Sequence, residues 1–359
     1  MSTIKKITRY SAFVVLAFSG LILLIVAGFL LFATATDYKP GETEPIAIPP
    51  NTLPDTIPLG SLELYTWNIG YCGLGAKMDF FYENGKMVRP DEEYYERCRD
   101  GVLQQLLKLN KPDFILLQEI DQQSHRTYLD DQVERVKADF KDYAGFFALN
   151  YKVPFVPVPL YSPMGKVRAG LITLSRYQPV KAERHSFPSA YSWPKRLFML
   201  DRGFILTRFI VSNGKQLVLI NTHNSAFADA ADMRAKELNM IKSIIQEEYK
   251  VGNYVIIGGD WNQNPSPFNK DSIKDGNIAY AISPGIPADF LPAGFTWAFD
   301  SKYPTNRNVD KPYAKGKTGT TIIDFFVLSP NITMMTTNTL KTNFEYSDHQ
   351  PVGIVVGLK

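Results

Sequence analysis

Between Arg9 and Asp37 the chain carries no charged residue, and the run SAFVVLAFSGLILLIVAGFLLFA is almost wholly apolar. As a helix rising about 1.5 Å per residue, it is long enough to cross a hydrocarbon core of about 30 Å. Residues 10–34 therefore read as a transmembrane helix behind a basic cytoplasmic tail, residues 1–9. A cleaved signal peptide is the competing reading, with Ala33 and Ala35 as an A-x-A-like site, but the stretch exceeds the usual apolar core of ~7–15 residues. The pattern then breaks. DYKPGETEPIAIPPNTLPDTIPLG is dense in proline and has no apolar period, which predicts an extended, semi-rigid tether over residues 35–60.

From residue 61 to 359 the pattern is that of one folded domain. LELYTWN reads as strand, DEEYYERCRDGVLQQLLKLN as helix, KPDFILLQEI as strand, and a further helix falls near residues 130–140. RAGLITLSR, GFILTRFIVSNGKQLVLINTHN and NYVIIGGD add strands, with Asn213-Gly214 marking a hairpin and so an antiparallel pair. Met233, Leu238, Ile241 and Ile245 lie along one face of the helix predicted for ADMRAKELNMIKSIIQEEYK, and TTIIDFFVLS and VGIVVGL close the domain as strands. YKVPFVPVPLYSPMGK and the stretch 264–318 read as long surface loops. No repeat of solenoid length is present.

Charge sharpens this picture. The chain has 39 basic and 36 acidic residues, and Lys5, Lys6 and Arg9, ahead of the span, account for the excess. Positive flanks stay cytoplasmic, so the domain is expected outside the cytoplasm. Its neutral total excludes a protein that coats nucleic acid by bulk charge. Cys72 and Cys98 are the only cysteines; a domain of this size does not need their disulfide, and the unpaired reading is favoured.

Polar residues collect where the apolar strands stop. Asn68 follows LELYTW, Glu119 follows FILLQ, His223 follows LVLINT, Asp260 follows YVIIGG, Asp324 follows TTII, and Asp348 and His349 precede QPVGIVV. Each alone has an ordinary explanation as a turn, cap or strand-end contact. Together they favour one site, because strand ends in α/β sheets deliver groups to a shared crevice. In IIGGDWNQNP, strand alternation puts Asp260 and Asn262 on one side, with the glycines letting substrate approach. Glu119, Asp260 and Asp348 offer hard oxygen ligands and Asn68 and Asn262 amide groups; with no cysteine/histidine cluster for zinc, Mg2+ or Mn2+ is expected and Ca2+ also fits.

TWNIG, LLQEID, INTHNS, IIGGDWNQNP, IDFFVLS and YSDHQPV resemble, in order, the motifs of the endonuclease/exonuclease/phosphatase superfamily, which includes pancreatic deoxyribonuclease, abasic-site endonucleases, neutral sphingomyelinases and inositol-phosphate phosphatases. The resemblance runs from about Leu62 to Val356. It implies a four-layer α/β sandwich: two mixed, largely antiparallel β-sheets flanked by helices, here preceded by the transmembrane helix. It also implies metal-dependent phosphoester hydrolysis. Glu119, with Asn68 and Asp348, would hold the metal; Asp260 and Asn262 would position the attacking water; His223 would stabilise the phosphate or protonate the leaving group. Asp324 would orient His349 as general base, with Asp260 the rival for that role, and Asn224 and Asn221 would assist.

Other features are weaker. Arg126, beside His125, and Arg307, in a lysine-rich loop with Lys302, Lys311, Lys315 and Lys317, are candidate phosphate contacts; solvated surface is the alternative for both groups. Trp193, Leu197, Phe198 and Met199 beside Lys195 and Arg196 could touch a bilayer, although core packing explains most such residues. The expected substrate is a phosphoester: a lipid headgroup, a nucleic acid or a soluble phosphodiester. Sphingomyelinase- or phospholipase C-like action and deoxyribonuclease-like action stay open, with a catalytically retired binding protein as the reading from another class. Nothing calls for an obligate protein partner.

Overall fold

The computed structural model describes residues 2–50, 53–188, 191–226, 231–273, 278–282 and 285–359. Side chains of residues 2–8 lie outside the description, and with them the charges of Lys5 and Lys6. Among the described residues there are four α-helices: α1 (Ser2–Ala35), α2 (Glu92–Leu107), α3 (Gln132–Asp139) and α4 (Ala231–Lys250). In chain order the first strands are β1 (Thr43–Pro45), β2 (Thr56–Ile57), β3 (Ser61–Asn68), β4 (Phe114–Asp121), β5 (Ala144–Val156) and β6 (Gly165–Ser175). Then come β7 (Lys181–Ser186), β8 (Gly203–Val211), β9 (Gln216–His223), β10 (Tyr254–Asp260), β11 (Ile278–Ala279) and β12 (Thr296–Ala298). The last are β13 (Asn306–Arg307), β14 (Gly319–Thr321), β15 (Asp324–Leu328), β16 (Ile332–Thr339) and β17 (Val352–Leu358).

One sheet runs β16-β17-β3-β4-β6-β5 and the other β1-β7-β8-β9-β10-β15-β12, with β2 paired to β8. Within these two sheets pairing is antiparallel except for β3 with β4, β9 with β10 and β2 with β8. The sheets are thus mixed and largely antiparallel, as expected. A small ribbon, β11-β14-β13, was not foreseen.

Period-two alternation explains the layering. Leu64, Leu116, Leu219, Ile256 and Phe326 turn inward and pack the two sheets together. Their neighbours Ile115 and Leu117 turn outward against Tyr95 and Val102 of α2 and Val133 and Val136 of α3. On the opposite side, Val218, Ile220 and Val255 meet Leu238, Ile241 and Ile245 of α4. The order is helix, sheet, sheet, helix. Asp91 and Asp131 accept from Tyr94 N and Glu134 N, capping α2 and α3 where their helical patterns begin. Cys72 and Cys98 are both buried and unpaired.

Two expectations change. Half of the proline-rich run after Asn150 is strand, because β5 is an edge strand and its register breaks between Val153 and Val156, where Pro154 needs no ladder partner. The loop shrinks to residues 157–164. The proline-dense run after Asp37 is extended but lies on the second sheet: β1 pairs with β7, Ile46 N donates to Ala182 O at 2.9 Å, and β2 pairs with β8. Unused hydrogen-bonding groups along β7 and β8 take up the backbone that a free tether would leave to water.

Candidate active site

The inward face of the two sheets changes character toward one edge. Above the apolar layer comes a polar one, in which Gln118 Nε2 donates to Asn221 Oδ1 at 2.8 Å and to Thr66 Oγ1 at 3.0 Å. Asn221 therefore supports the site from one layer below. One more step along the strands brings Asn68, Glu119, His223, Asp260 and Asp324 to the edge of the core. Asp260 sits opposite His223 in the parallel ladder and opposite Asp324 in the antiparallel one, so three strand ends present their side chains together.

Glu119 reaches the site through a bulge. The β4–β6 register shifts between Gln118 and Ile120, and Glu119 takes a φ of 53°, which turns a side chain that alternation would send toward α2 and α3 into the pocket. Gly258 and Gly259 are explained by packing, not by substrate approach. A Cβ on Gly258 would lie 2.3 Å from the Phe326 ring, and one on Gly259, at φ +148°, would lie 2.0 Å from Thr222 O. Asn262 lies beyond the strand, with a φ of 50°; its N–H donates to Asp260 Oδ1 at 2.8 Å and its Nδ2 to Asn224 O at 2.9 Å. A turn, not strand alternation, brings it beside Asp260.

His349 Nδ1 lies 2.8 Å from Asp324 Oδ2, and its Nε2 lies 3.1 Å from Asn306 Nδ2, 3.8 Å from Asp260 Oδ2 and 4.0 Å from Asp348 Oδ2. Burial opposes charge on this imidazole, but Asp324, Asp348 and Asp260 outweigh it and hold its pKa well above the usual histidine value. His223 goes the other way: burial first, then the Arg202 and His349 charges, push its pKa well down. Its Nε2 lies 3.4 Å from Asp260 Oδ2 and 3.8 Å from Glu119 Oε1. Burial, with Asp324 adding to it, raises Asp260 above the ordinary carboxylate range, although His349, Asn68 and the Asn262 N–H pull it down. Burial raises Asp348 too, opposed by His349 and reinforced by Glu119.

Glu119, His223, Asp260, Asn262, Asp348 and His349 line a cavity of about 250 Å³, together with Tyr71, Glu83, Arg126, Asn150, Arg202, Tyr280 and Asn306, while Asp324 and Asn68 hold lining groups by hydrogen bonds. A larger cavity of about 570 Å³, between the post-helix segment and the second sheet, contains no histidine and none of these carboxylates. Asp260, Asp324 and His349 have ligand atoms within 4.8 Å of one another, but the His349–Asp324 hydrogen bond already commits two of those groups. Glu119 and Asp348 line the same cavity without joining that tight group. Asn68 stands between carboxylates, its Nδ2 donating to Asp260 Oδ2 at 2.9 Å and Glu119 Oε1 at 3.2 Å while its Oδ1 accepts from Gly70 N. A pocket rich in carboxylate oxygen, with acids that burial alone disfavours as anions, fits a hard divalent cation.

Several sequence candidates fall elsewhere. Arg307 is buried, and its guanidinium is spent on the carbonyls of Asn308, Lys311, Leu74, Gly75 and Met78. It is a structural strut. Lys302, Lys311, Lys315 and Lys317 are exposed and do not line the cavity. Asn224 is fully buried behind the site. Arg126 does line the cavity, yet it is no solvated loop residue: it makes a two-pronged pair with Asp121 at 2.9 and 3.0 Å and lies 3.7 Å over the Tyr71 ring. Sequence reading missed Arg202, Asn150, Glu83 and Asn306, which no motif marks. Tyr71 OH, Asn150 Nδ2, Arg202 Nη1 and His223 Nδ1 are buried without a partner while lining the cavity, so polar groups stand ready for a ligand.

The fold is similar to that of the human Nocturnin catalytic domain with bound sulfate anion, at 15% identity and a TM-score of 0.52, covering 84% of this chain and 94% of that one. D. rerio TDP2 complexed with single strand DNA product matches at 18% identity and a TM-score of 0.50, over 83% of this chain and 99% of that one. An endonuclease/exonuclease/phosphatase from Bacteroides vulgatus matches at 13% identity and a TM-score of 0.50, again over 83% and 99%. No curated protein matches the sequence. The model of the Endonuclease/Exonuclease/phosphatase family matches residues 65–349, a span holding every strand-end residue described above, and the chain accordingly belongs to that family and is a phosphoester hydrolase.

Proposed function

We propose that the protein is a membrane-anchored, divalent-metal-dependent phosphodiesterase whose catalytic domain, residues 61–359, works outside the cytoplasm. The observation that carries the chemistry is the convergence of Asp260, His349 and His223 within 4 Å contacts, in one pocket with Glu119 and Asp348. The anchor is supported by the helical run Arg9–Ala35, whose most apolar eighteen-residue window has a mean hydropathy of 2.9 and is left unburied, with Arg9 at its N-terminal end favouring the cytoplasmic side.

Glu119 and Asp348 would hold Mg2+ or Mn2+, with Asn68 spacing the carboxylates; Ca2+ suits the same oxygens. Such a cation, when bound, supplies Lewis-acid stabilisation of charge developing on a phosphoryl oxygen. Asp260 takes a proton from the attacking water, and Asn262, tied to it by the N–H contact of 2.8 Å, fixes its direction. His349, held cationic by Asp324, donates from Nε2 to the phosphate. This arrangement favours Asp260 over His349 as the base. His223, kept neutral, serves as a hydrogen-bond donor and not as a leaving-group acid. The unpartnered Arg202 Nη1 and Asn150 Nδ2 would contact the phosphodiester anion. The new bond joins water oxygen to phosphorus, the bond from phosphorus to the leaving oxygen breaks, and that oxygen takes a proton from solvent.

The test is turnover of bis(p-nitrophenyl) phosphate by the full chain in detergent, with Mg2+, with Mn2+ and after chelation. Turnover should require the cation and vanish in Asp260→Ala and His349→Ala variants that keep the parent circular-dichroism spectrum. Equal rates in parent and variants would exclude this reading, including in favour of a retired binding protein if both are zero.

A further inference from the structure

The last turns of α1 dock on the catalytic domain. Phe29 stacks on Phe198 with ring centroids 5.6 Å apart and meets Phe155 edge-on at 6.1 Å. Trp193 Nε1 donates to Thr34 Oγ1 at 3.1 Å, and Arg196 pairs with Asp37 at 3.1 Å. At roughly 1.5 Å per residue, Phe29 lies about 28 Å along the helix from Tyr10, close to the ~30 Å thickness of a hydrocarbon core. A span that begins beside Arg9 therefore brings Phe29 out at the far boundary, and whatever touches Phe29 shares that level.

Apolar side chains are exposed at these contacts and on the loop that follows Phe155 in the chain. Leu160 is 86% exposed, Tyr161 74%, Trp193 54% and Phe155 40%. Phe155 lies near the end of β5, Leu160 and Tyr161 on the loop that follows it, and Trp193 on the segment before β8; Tyr151 OH of β5 joins that segment by donating to Phe198 O at 3.0 Å, and Tyr161 OH anchors its loop by donating to Lys86 O at 3.0 Å. Isolated exposed apolar residues are ordinary, but aromatic and aliphatic side chains gathered where a membrane helix emerges are those that enter a bilayer boundary. The same short turn, Lys195–Phe198, leads straight into the catalytic cavity, whose wall includes Phe198, Met199 and Leu200. Phe198 thus touches both the helix exit, through Phe29, and the catalytic cavity.

We infer that this face rests on the leaflet into which α1 emerges, so that the cavity opens at the headgroup–acyl boundary and accepts the phosphodiester of a membrane lipid, its acyl part against Phe198, Met199 and Leu200. The inference rests on the anchored phosphodiesterase reading above and supplies its substrate class.

The test uses the full chain in vesicles of equal parts phosphatidylcholine, phosphatidylinositol and sphingomyelin, with part of the phosphatidylcholine brominated to quench tryptophan emission. Parent protein should lose an emission component that Trp193→Phe lacks. Leu160→Asp combined with Tyr161→Asp should abolish that quenching and slow hydrolysis of vesicle lipid by roughly tenfold or more, while turnover of bis(p-nitrophenyl) phosphate stays within about twofold. Both side chains are largely exposed; because Tyr161→Asp also removes the bond to Lys86 O, a parent-like circular-dichroism spectrum and melting curve check the fold of the double variant. Absence of Trp193 quenching overturns the docking whatever the activity. Quenching with turnover of the soluble ester but none of the lipids, or with faster cleavage of a single-stranded oligonucleotide that the double variant leaves unchanged, overturns the lipid substrate. Failure on every ester sinks the hydrolase reading instead, while quenching still decides the docking.

Discussion

The carboxylate of Asp324 and the imidazole of His349 meet at 2.8 Å, Oδ2 to Nδ1, both buried, and the second ring nitrogen lies 3.1 Å from Asn306 Nδ2 and 3.8 Å from Asp260 Oδ2. Thr305 Oγ1 accepts from the Asp324 N–H, and Trp67 Nε1 donates to His349 O at 3.0 Å, so the backbones of the pair are held as well. A carboxylate in this position fixes the tautomer and stabilises the cation. Asp324→Asn should therefore lower kcat by roughly two to four orders of magnitude with little change in KM. The check is steady-state turnover of a soluble phosphodiester beside a melting curve. Parent-like kcat in a folded variant would remove His349 from the chemistry.

Glu119 owes its orientation to a bulge and so tests the metal reading directly. Glu119→Gln keeps the shape and the contact to Asn68 while deleting charge, and the Mg2+ concentration for half-maximal turnover should rise about tenfold or more. Chelation should stop the parent enzyme, and Mg2+ or Mn2+ should restore it. Restoration by zinc alone would contradict an oxygen-ligand site. A titration of rate against free metal, for parent and variant, measures both outcomes.

The strand-end residues were legible because one period-two pattern does two jobs. Leu64, Leu116, Leu219 and Ile256 fill the space between the sheets, the next inward positions are Thr66, Gln118, Asn221 and Gly258, and one step further come Asn68, His223 and Asp260. Glu119 was found through its motif, since alternation alone sends it to the opposite face until the bulge is known. Arg202 and Asn150 were illegible: they approach the cavity from the position just before β8 and from β5 by tertiary packing, and no local spacing announces it. Arg307 misled for the converse reason. A cation among lysines in a loop resembles a phosphate contact until the chain folds Leu74, Gly75 and Met78 around it.

That enclosure gives Arg307 a thermodynamic signature unlike a catalytic residue's. Arg307→Met should remove donors from several buried carbonyls at once, costing about 3 kcal/mol or more and lowering Tm by roughly 5–10 °C. Activity per folded molecule at low temperature should stay near the parent's. Thermal melts paired with active-site-normalised rates separate the two effects, and a large loss of kcat at unchanged Tm would return Arg307 to substrate binding.

Asp201 predicts how stability responds to pH away from the catalytic groups. Burial raises its pKa; Arg184 and Arg196 oppose this and Asp37 adds to it, leaving the group at about 7. Arg184 offers the carboxylate limited relief, because its guanidinium donates to Leu149 O, Ser186 Oγ and the Asp201 backbone carbonyl. The unfolded group titrates near ~3.9, so between that pH and about 7 the folded protein binds more protons than the unfolded one. Folding stability from this group is fully present below the unfolded pKa and is lost as pH rises through the folded one. Asp201→Asn should flatten that part of the profile, melting above the parent at pH 8 and drawing level with it or below it near pH 4. Tm measured across that range in parent and variant decides the matter: parallel curves would mean that the Asp201 carboxyl titrates alike in both states.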